Sequence, residues 1–419
     1  MVKTLLFLVI LQVNSLATPN PNPLDQARIH IVNQDYEAAR ESLESVSQNS
    51  RGREYYLMVG QVTLALQQYE YAIEALQIAR GYEPNDLNLM LQLARTFRIA
   101  GQSDLAESLA ETIIARDTTH RQALILYGSI QAEKTNWPRV RSVYERLVQM
   151  DSTNTHFRYQ LAQALNELDQ KGAALMHLRA ANRFSPKHHG VLHDLISIHA
   201  GLNLNDIARE YAVKSIDMSP NFIPFRKRLA EIEFKEQKYS EAANQYQEVI
   251  NLGDKTQFTY RNYGMSLYFA DQFGEAIKAF DASLKLGDDP NVHFYKAMAL
   301  VQVGQPERAQ EHLMKSVENS IGDLLIDSFI QLGSLLDKKG DLENSIKNYS
   351  IASSLAPNKI EIQFYMGSAY DRTGVHRLEA REYYRNFLNA ESQRDPVMEN
   401  YARSRISKLN EEIHFRGNN

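Results

Sequence analysis

Cysteine is absent from the 419 residues, which excludes disulfides, thiol catalysis and thiolate metal sites but leaves the compartment open. Any long run of one charge is missing too. The 46 basic residues stand against 51 acidic ones, for a net charge of −5 and a pI near 6.2. A chain so balanced is not built as a general binder of nucleic acid or of anionic membranes. The one apolar run near the start, Leu5 to Leu11, falls well short of the roughly 20 residues that cross a bilayer, so no stable membrane span is expected. Glycine-rich phosphate loops, a nucleophile elbow, a calcium loop and a His-Glu-x-x-His zinc pattern are lacking. The chain is therefore read as non-catalytic, with no cofactor, no catalytic residue and no metal site. What is present, 43% hydrophobic and 23% charged residues, is the composition of a folded soluble protein.

Met1 to Ala17 begins with Lys3, runs apolar to Leu11 and closes on Ser15-Leu16-Ala17. A basic start, a short apolar stretch and a small-x-small end make a secretory signal peptide. They predict an exported protein, periplasmic or extracellular. Residues 18–23, Thr-Pro-Asn-Pro-Asn-Pro, read as an extended lead-in, because proline withholds its N–H and restrains the residue before it.

Sliding Arg53 to Thr256 along itself by 34 residues superimposes six segments without a gap, starting at Arg53, Leu87, Arg121, Thr155, His189 and Ile223. A fixed period in this range means stacked units. The eighth places hold Gly60, Ala94, Gly128, Ala162, Ile196 and Ala230; the twentieth hold Ala72, Ala106, Val140, Ala174, Ala208 and Ala242. A first, less regular unit is aligned by Ala27 and Ala39, and further units begin near residues 257, 290, 326 and 360, giving eleven over residues 24–394. Two extra residues near Gly322-Asp323 mark a candidate bend, and one insertion precedes Ala380. Residues 395–413 read as a capping helix whose apolar side carries Val397, Tyr401, Ile406, Leu409 and Ile413, and residues 414–419 as a frayed tail.

Inside a unit two helical faces alternate with a 3.6-residue period. Tyr260, Tyr263, Gly264 and Leu267 make the first helix, A; Ala276, Ile277, Phe280, Ser283 and Leu284 make the second, B. Glycine or alanine at the eighth place against alanine at the twentieth lets the backbones approach, and a large residue at the twenty-fourth, such as Phe280 or Tyr349, fills the groove. Pro84, Pro186, Pro220 and Pro357 stop helix B. The large-x-x-Leu-Gly/Ala-x-x-Tyr pattern, followed by Ala, an aromatic, Ala and Pro, resembles the tetratricopeptide repeat. Departures stand at Trp137-Pro138, at Ile196 and at Lys296, where local bends are expected.

That resemblance implies an all-α, right-handed superhelical solenoid of about eleven antiparallel helix pairs. At roughly 9 Å per helix it extends on the order of 200 Å. It also implies a scaffold that holds a protein or extended peptide in a groove lined by the second, fifth, ninth, twelfth and thirteenth places of each unit. In the middle units these places include Lys227, Phe234, Lys235, Phe258, Arg261, Tyr268, Phe269, Phe294 and Met298, aromatics beside cations as in partner-binding surfaces. Packing between neighbouring helices A is the other use for such rings, and stacking on sugar, in a subunit for polysaccharide export or capture, is the alternative function. The lysine-or-arginine then asparagine pair with which one subgroup grips a C-terminal carboxylate is absent, since Lys227 is followed by Glu231 and Arg261 by Met265.

Three weaker signals remain. Groove charges drift from Arg95 and Arg98 to Asp327, Asp337 and Asp371. His188, His189 and His193 cluster without a third metal ligand in register. Carboxylates such as Glu231, Glu233, Glu411 and Glu412 read as solvated helix exteriors.

Overall fold

A computed structural model describes residues 22–391 and 393–416; the signal segment, residues 18–21 and residues 417–419 lie outside them. Among the described residues all regular structure is helical: 23 α-helices, one short 3-10 turn at Gln48–Ser50, and no strand. The helices run as pairs: α1 (Pro23–Val32) and α2 (Tyr36–Glu44), α3 (Arg53–Ala65) and α4 (Tyr69–Tyr82), α5 (Leu87–Ile99) and α6 (Ser103–Arg116), α7 (Arg121–Glu133) and α8 (Trp137–Met150), α9 (Thr155–Glu167) and α10 (Lys171–Phe184). There follow α11 (His189–Gly201) and α12 (Asn205–Met218), α13 (Ile223–Lys235) and α14 (Tyr239–Asn251), α15 (Gln257–Phe269) and α16 (Phe273–Leu284), α17 (Pro290–Gln302) and α18 (Pro306–Asn319), α19 (Gly322–Lys339) and α20 (Leu342–Leu355), α21 (Glu361–Arg372) and α22 (Arg377–Asn389), and finally α23 (Pro396–Arg416). The chain divides within α11, after Val191, into two compact units.

Both units hold their pairs together by size matching. A Cβ added at Gly60 or Gly128 in the first unit would stand 2.8 Å from Leu76 or 2.9 Å from Tyr144. In the second, Gly264, Gly333 and Gly367 meet Phe280, Tyr349 and Tyr384 at 2.6, 2.7 and 2.9 Å. The glycine at the eighth place is thus the seat of the large residue at the twenty-fourth, sixteen or seventeen residues later. Ile196 keeps the rule by reversing it: buried in one cluster with Ala208 and Ala212, it is the large partner and Ala212 the small one, so no bend is needed. Lys296, the other departure, is buried and places its ammonium on Asp281 of α16.

The turn between helices A and B is equally regular. Gln67, Thr135 and Asp169 in the first unit, and Asn203, Gln237 and Asp271 in the second, have φ between 54° and 62°, the left-handed region that non-glycine residues seldom enter. Each is followed by an N–H that donates back into the end of helix A, as from Gln68 to the Thr63 carbonyl (2.8 Å) and from Gln272 to the Leu267 carbonyl (2.9 Å). This closes the orphaned carbonyls of the helix end.

Three boundaries differ from the expectations. Pro23 is the first residue of α1, with the Asn22 side chain accepting from the Leu24 N–H (3.2 Å); proline fits there because that N–H has no helical partner. The extra residues near Gly322 extend the N-terminal end of α19, which is 18 residues long. Helix α23 runs three residues beyond Ile413, and Ala402 and Leu409 are buried against Tyr384 and Phe387, with Ile406 and Ile413 beside them; Tyr401, half exposed, lays its ring against Phe364 and Tyr384, while Val397 faces out.

Candidate partner-binding surface

The second unit gathers the sequence-predicted residues into two groups. Phe234, at the end of α13, and Tyr268 and Phe269, at the end of α15, enter a chain of ring contacts: Phe234 to Phe269 at 5.6 Å, Tyr268 to Phe269 at 5.2 Å, each edge to face. Three further rings complete it. Tyr239, opening α14, lies 5.2 Å from both Phe234 and Phe269; Phe273, opening α16, lies 5.7 Å from Tyr268; Tyr295 of α17 touches Tyr268, Phe269 and Phe294. Edge-to-face geometry sets the positive rim of one ring on the negative face of the next and stiffens the surface. Phe269 keeps 36% of its surface exposed. The rings therefore pack on one another between helices and still present an open edge.

The second group stands at the starts of α13 and α15. Phe258, 43% exposed, carries Lys227 and Arg261 over its ring at 5.5 and 5.2 Å. Both cations are also tied to carboxylates, Lys227 to Asp254 (2.6 Å) and Arg261 to Asp289 (3.2 Å). Burial opposes ionisation of Asp254, but hydrogen bonds from Lys227, Thr256 and Thr259 prevail and hold its carboxyl down at about 2. The surface is thus aromatic, with its cations already compensated. Between the groups lies a cleft of about 170 Å³ lined by Glu231, Phe234, Tyr246, Asn262 and Met265, room for one apolar side chain. Lys235 is turned away, onto Asn203 at 2.6 Å. Met298 is half-buried on α17, one turn past Phe294.

The drift of groove charge is compensated in the same way. Arg98 pairs with Glu133, Lys359 with Asp327, Arg372 with Asp337 and Arg405 with Asp371, at 2.5 to 2.8 Å; the first and third join one repeat to the next, the second closes the repeat of α19 and α20, and the last ties α23 to α21. The histidines serve local contacts: His188 Nδ1 accepts from the Val191 N–H, and His193 Nε2 from Arg228. Among the described residues no group of three or more His, Asp or Glu side chains is placed to hold a metal ion, and no helix is long and apolar enough to cross a membrane.

Glu233 is a correction. Only 8% exposed, it lies inside α13 with Oε2 lacking a hydrogen-bond partner. The eleventh place of a unit points inward: Thr63, Phe97, Gln131, Leu165, His199 and Leu267 are buried there too, and that column was the signal available in the sequence. Burial, reinforced by Glu241 and opposed by Arg209 and Lys238, pushes its carboxyl up to about 7 from an ordinary 4.5. The folded state then holds a proton the unfolded state has released, so stability falls as pH rises from 4.5 to 7. Glu233→Gln removes that fall. At pH 8 it is expected to unfold about 1–2 kcal/mol later than the parent, with no difference at pH 4.5, in urea titrations at the two pH values.

Residues 326–359 match the family model described as tetratricopeptide repeat. Tetratricopeptide repeat protein 21A of Mus musculus is 23% identical over 107 residues, which are 26% of this chain and 8% of that protein, so the chain spans a small part of its length. Among solved structures, a tetratricopeptide repeat protein from Parabacteroides merdae is similar at 14% identity and a TM-score of 0.45, over 58% of this chain and 98% of that one. YrrB, described as a TPR protein with an unusual peptide-binding site, is similar at 18% identity and a TM-score of 0.40, over 47% and 99%. By the family match and its own fold, the pair α19 and α20 forms a tetratricopeptide repeat, and the other helix pairs of the chain repeat its plan.

Proposed function

We propose that the chain is a non-catalytic scaffold whose second unit binds an extended segment of a protein partner, and that it works outside the cytoplasm. One observation carries the binding: a continuous train of rings from Phe234 to Phe294, open to solvent at Phe269, next to a cleft sized for one side chain. Rings held by one another offer contact area that loses little freedom on binding, as binding hot spots require. With Lys227 and Arg261 compensated by Asp254 and Asp289, the partner segment is apolar rather than acidic. Export rests on residues 1–17 alone.

The test is affinity capture from the native source, comparing envelope or medium with cytosol. The variant Phe234→Ala/Arg261→Ala/Tyr268→Ala/Phe269→Ala is expected to lose its partner at least about tenfold, and Phe258→Ala, which removes one exposed ring outside the train, to weaken it with little change in the thermal midpoint. Undiminished capture by both variants overturns the site. A partner recovered from cytosol and not from envelope or medium overturns the location.

A further inference from the structure

We propose that the first unit carries a separate small-molecule site, for an aromatic carboxylate, in the cleft between α2, α3 and α4. Helix α2 has 9 residues where the second helices of the other pairs have 12 to 14. The chain leaves it at Ser45 and turns at Gln48–Ser50. The flanks of α3 and α4 that a last helical turn would cover are left bare, and a cleft of about 440 Å³ opens there. This volume is ample for a bicyclic ring system, within the range of small-ligand sites.

Its walls are aromatic. Tyr55 and Tyr56 stand edge to face at 5.1 Å, and Tyr71, 65% exposed, projects from α4 with Ile78 two turns along. An exposed tyrosine over an apolar floor is ready to cover a flat ring. One cation in the lining is left over. Arg40 is paired with Glu37 and Glu44, whereas Arg51 lies 5.1 Å over the Tyr55 ring, donates its Nε–H to the Val46 carbonyl (3.1 Å), and meets no carboxylate within ion-pair distance among the described residues. Its two terminal nitrogens remain to form the paired hydrogen bonds that a carboxylate accepts. Glu74, on α4 between Tyr71 and Ile78, disfavours a second anion. The ligand is therefore a flat apolar body with a single carboxylate. None of the groove-facing places of this repeat, Glu54, Leu57, Gln61, Leu64 and Ala65, lines the cleft, so occupancy does not depend on the partner surface of the second unit.

Isothermal titration of the full chain with 2-naphthoate tests the site, with 2-naphthalenemethanol as its uncharged counterpart. One molecule of 2-naphthoate is expected to bind with a submillimolar constant, the alcohol at least about tenfold more weakly. Tyr71→Ala and Arg51→Gln should each weaken 2-naphthoate about tenfold at an unchanged thermal midpoint, while Arg51→Lys, which keeps the charge but not the paired hydrogen bonds, falls between Arg51→Gln and the parent. Phe258→Ala should bind it as the parent does. No binding at millimolar 2-naphthoate overturns the proposal, as does binding that Tyr71→Ala and Arg51→Gln leave untouched; either result leaves the partner surface unaffected.

Discussion

Phe280→Ala is expected to lower stability by about 3–5 kcal/mol, the range for emptying a fully buried aromatic site. Phe280 has no exposed surface and fills the space over Gly264. Gly264→Ile alone overpacks that space, because even its Cβ would meet the ring at 2.6 Å, and should cost about 1–3 kcal/mol or more. The double variant is the informative one. It rebuilds in α15 and α16 the reversed couple that α11 and α12 already hold in Ile196 and Ala212. It should therefore recover about half or more of the Phe280→Ala loss, a coupling of at least about 1 kcal/mol. Urea unfolding of the four proteins checks this; losses that simply add would show that the two places do not share one space.

The second large effect is asymmetric. Lys296 is 4% exposed and its ammonium rests on Asp281, whose own side chain is 43% exposed. Asp281→Ala leaves a buried cation without its counter-charge, beside the rings of His293 and His312, which stack at 5.0 Å. The expected loss is about 2–3 kcal/mol, below the full range for buried pairs because the carboxylate side is half solvated. Lys296→Met restores the apolar residue that the repeat pattern asks for and returns Asp281 to water. It should lie within about 1 kcal/mol of the parent, on either side. Thermal and urea unfolding of the two variants decide the matter, and equal losses would mean that the pair acts through packing and not through charge.

The all-helical class was legible because the recurring small residues are constraints on backbone approach: Gly60, Gly128 and Gly264 each seat a side chain that no Cβ would admit. The left-handed turn residues escaped notice for the opposite reason. Gln67, Thr135, Asn203 and Asp271 share a backbone conformation and no side-chain type, since what fixes them is the hydrogen bond made by the next N–H. In the candidate surface, the groove-facing places supplied Phe234, Tyr268 and Phe269 but missed Tyr239 and Phe273, because the ring train crosses from the ends of helices A to the starts of helices B, and Tyr295, which lies on a helix A one place past the groove-facing Phe294. The charges of Lys227 and Arg261 were visible; their carboxylate partners, 27 and 28 residues away, were not. Glu233 was misread because its charge was weighed and its column was not.

The matched couples bear on how such a chain can lengthen. Gly264 and Phe280 both lie inside one period of the repeat, so a tandem duplication of that stretch copies socket and plug in a single event. A new copy arrives already fitted to itself, and only its junctions with its neighbours are left for later substitutions to improve.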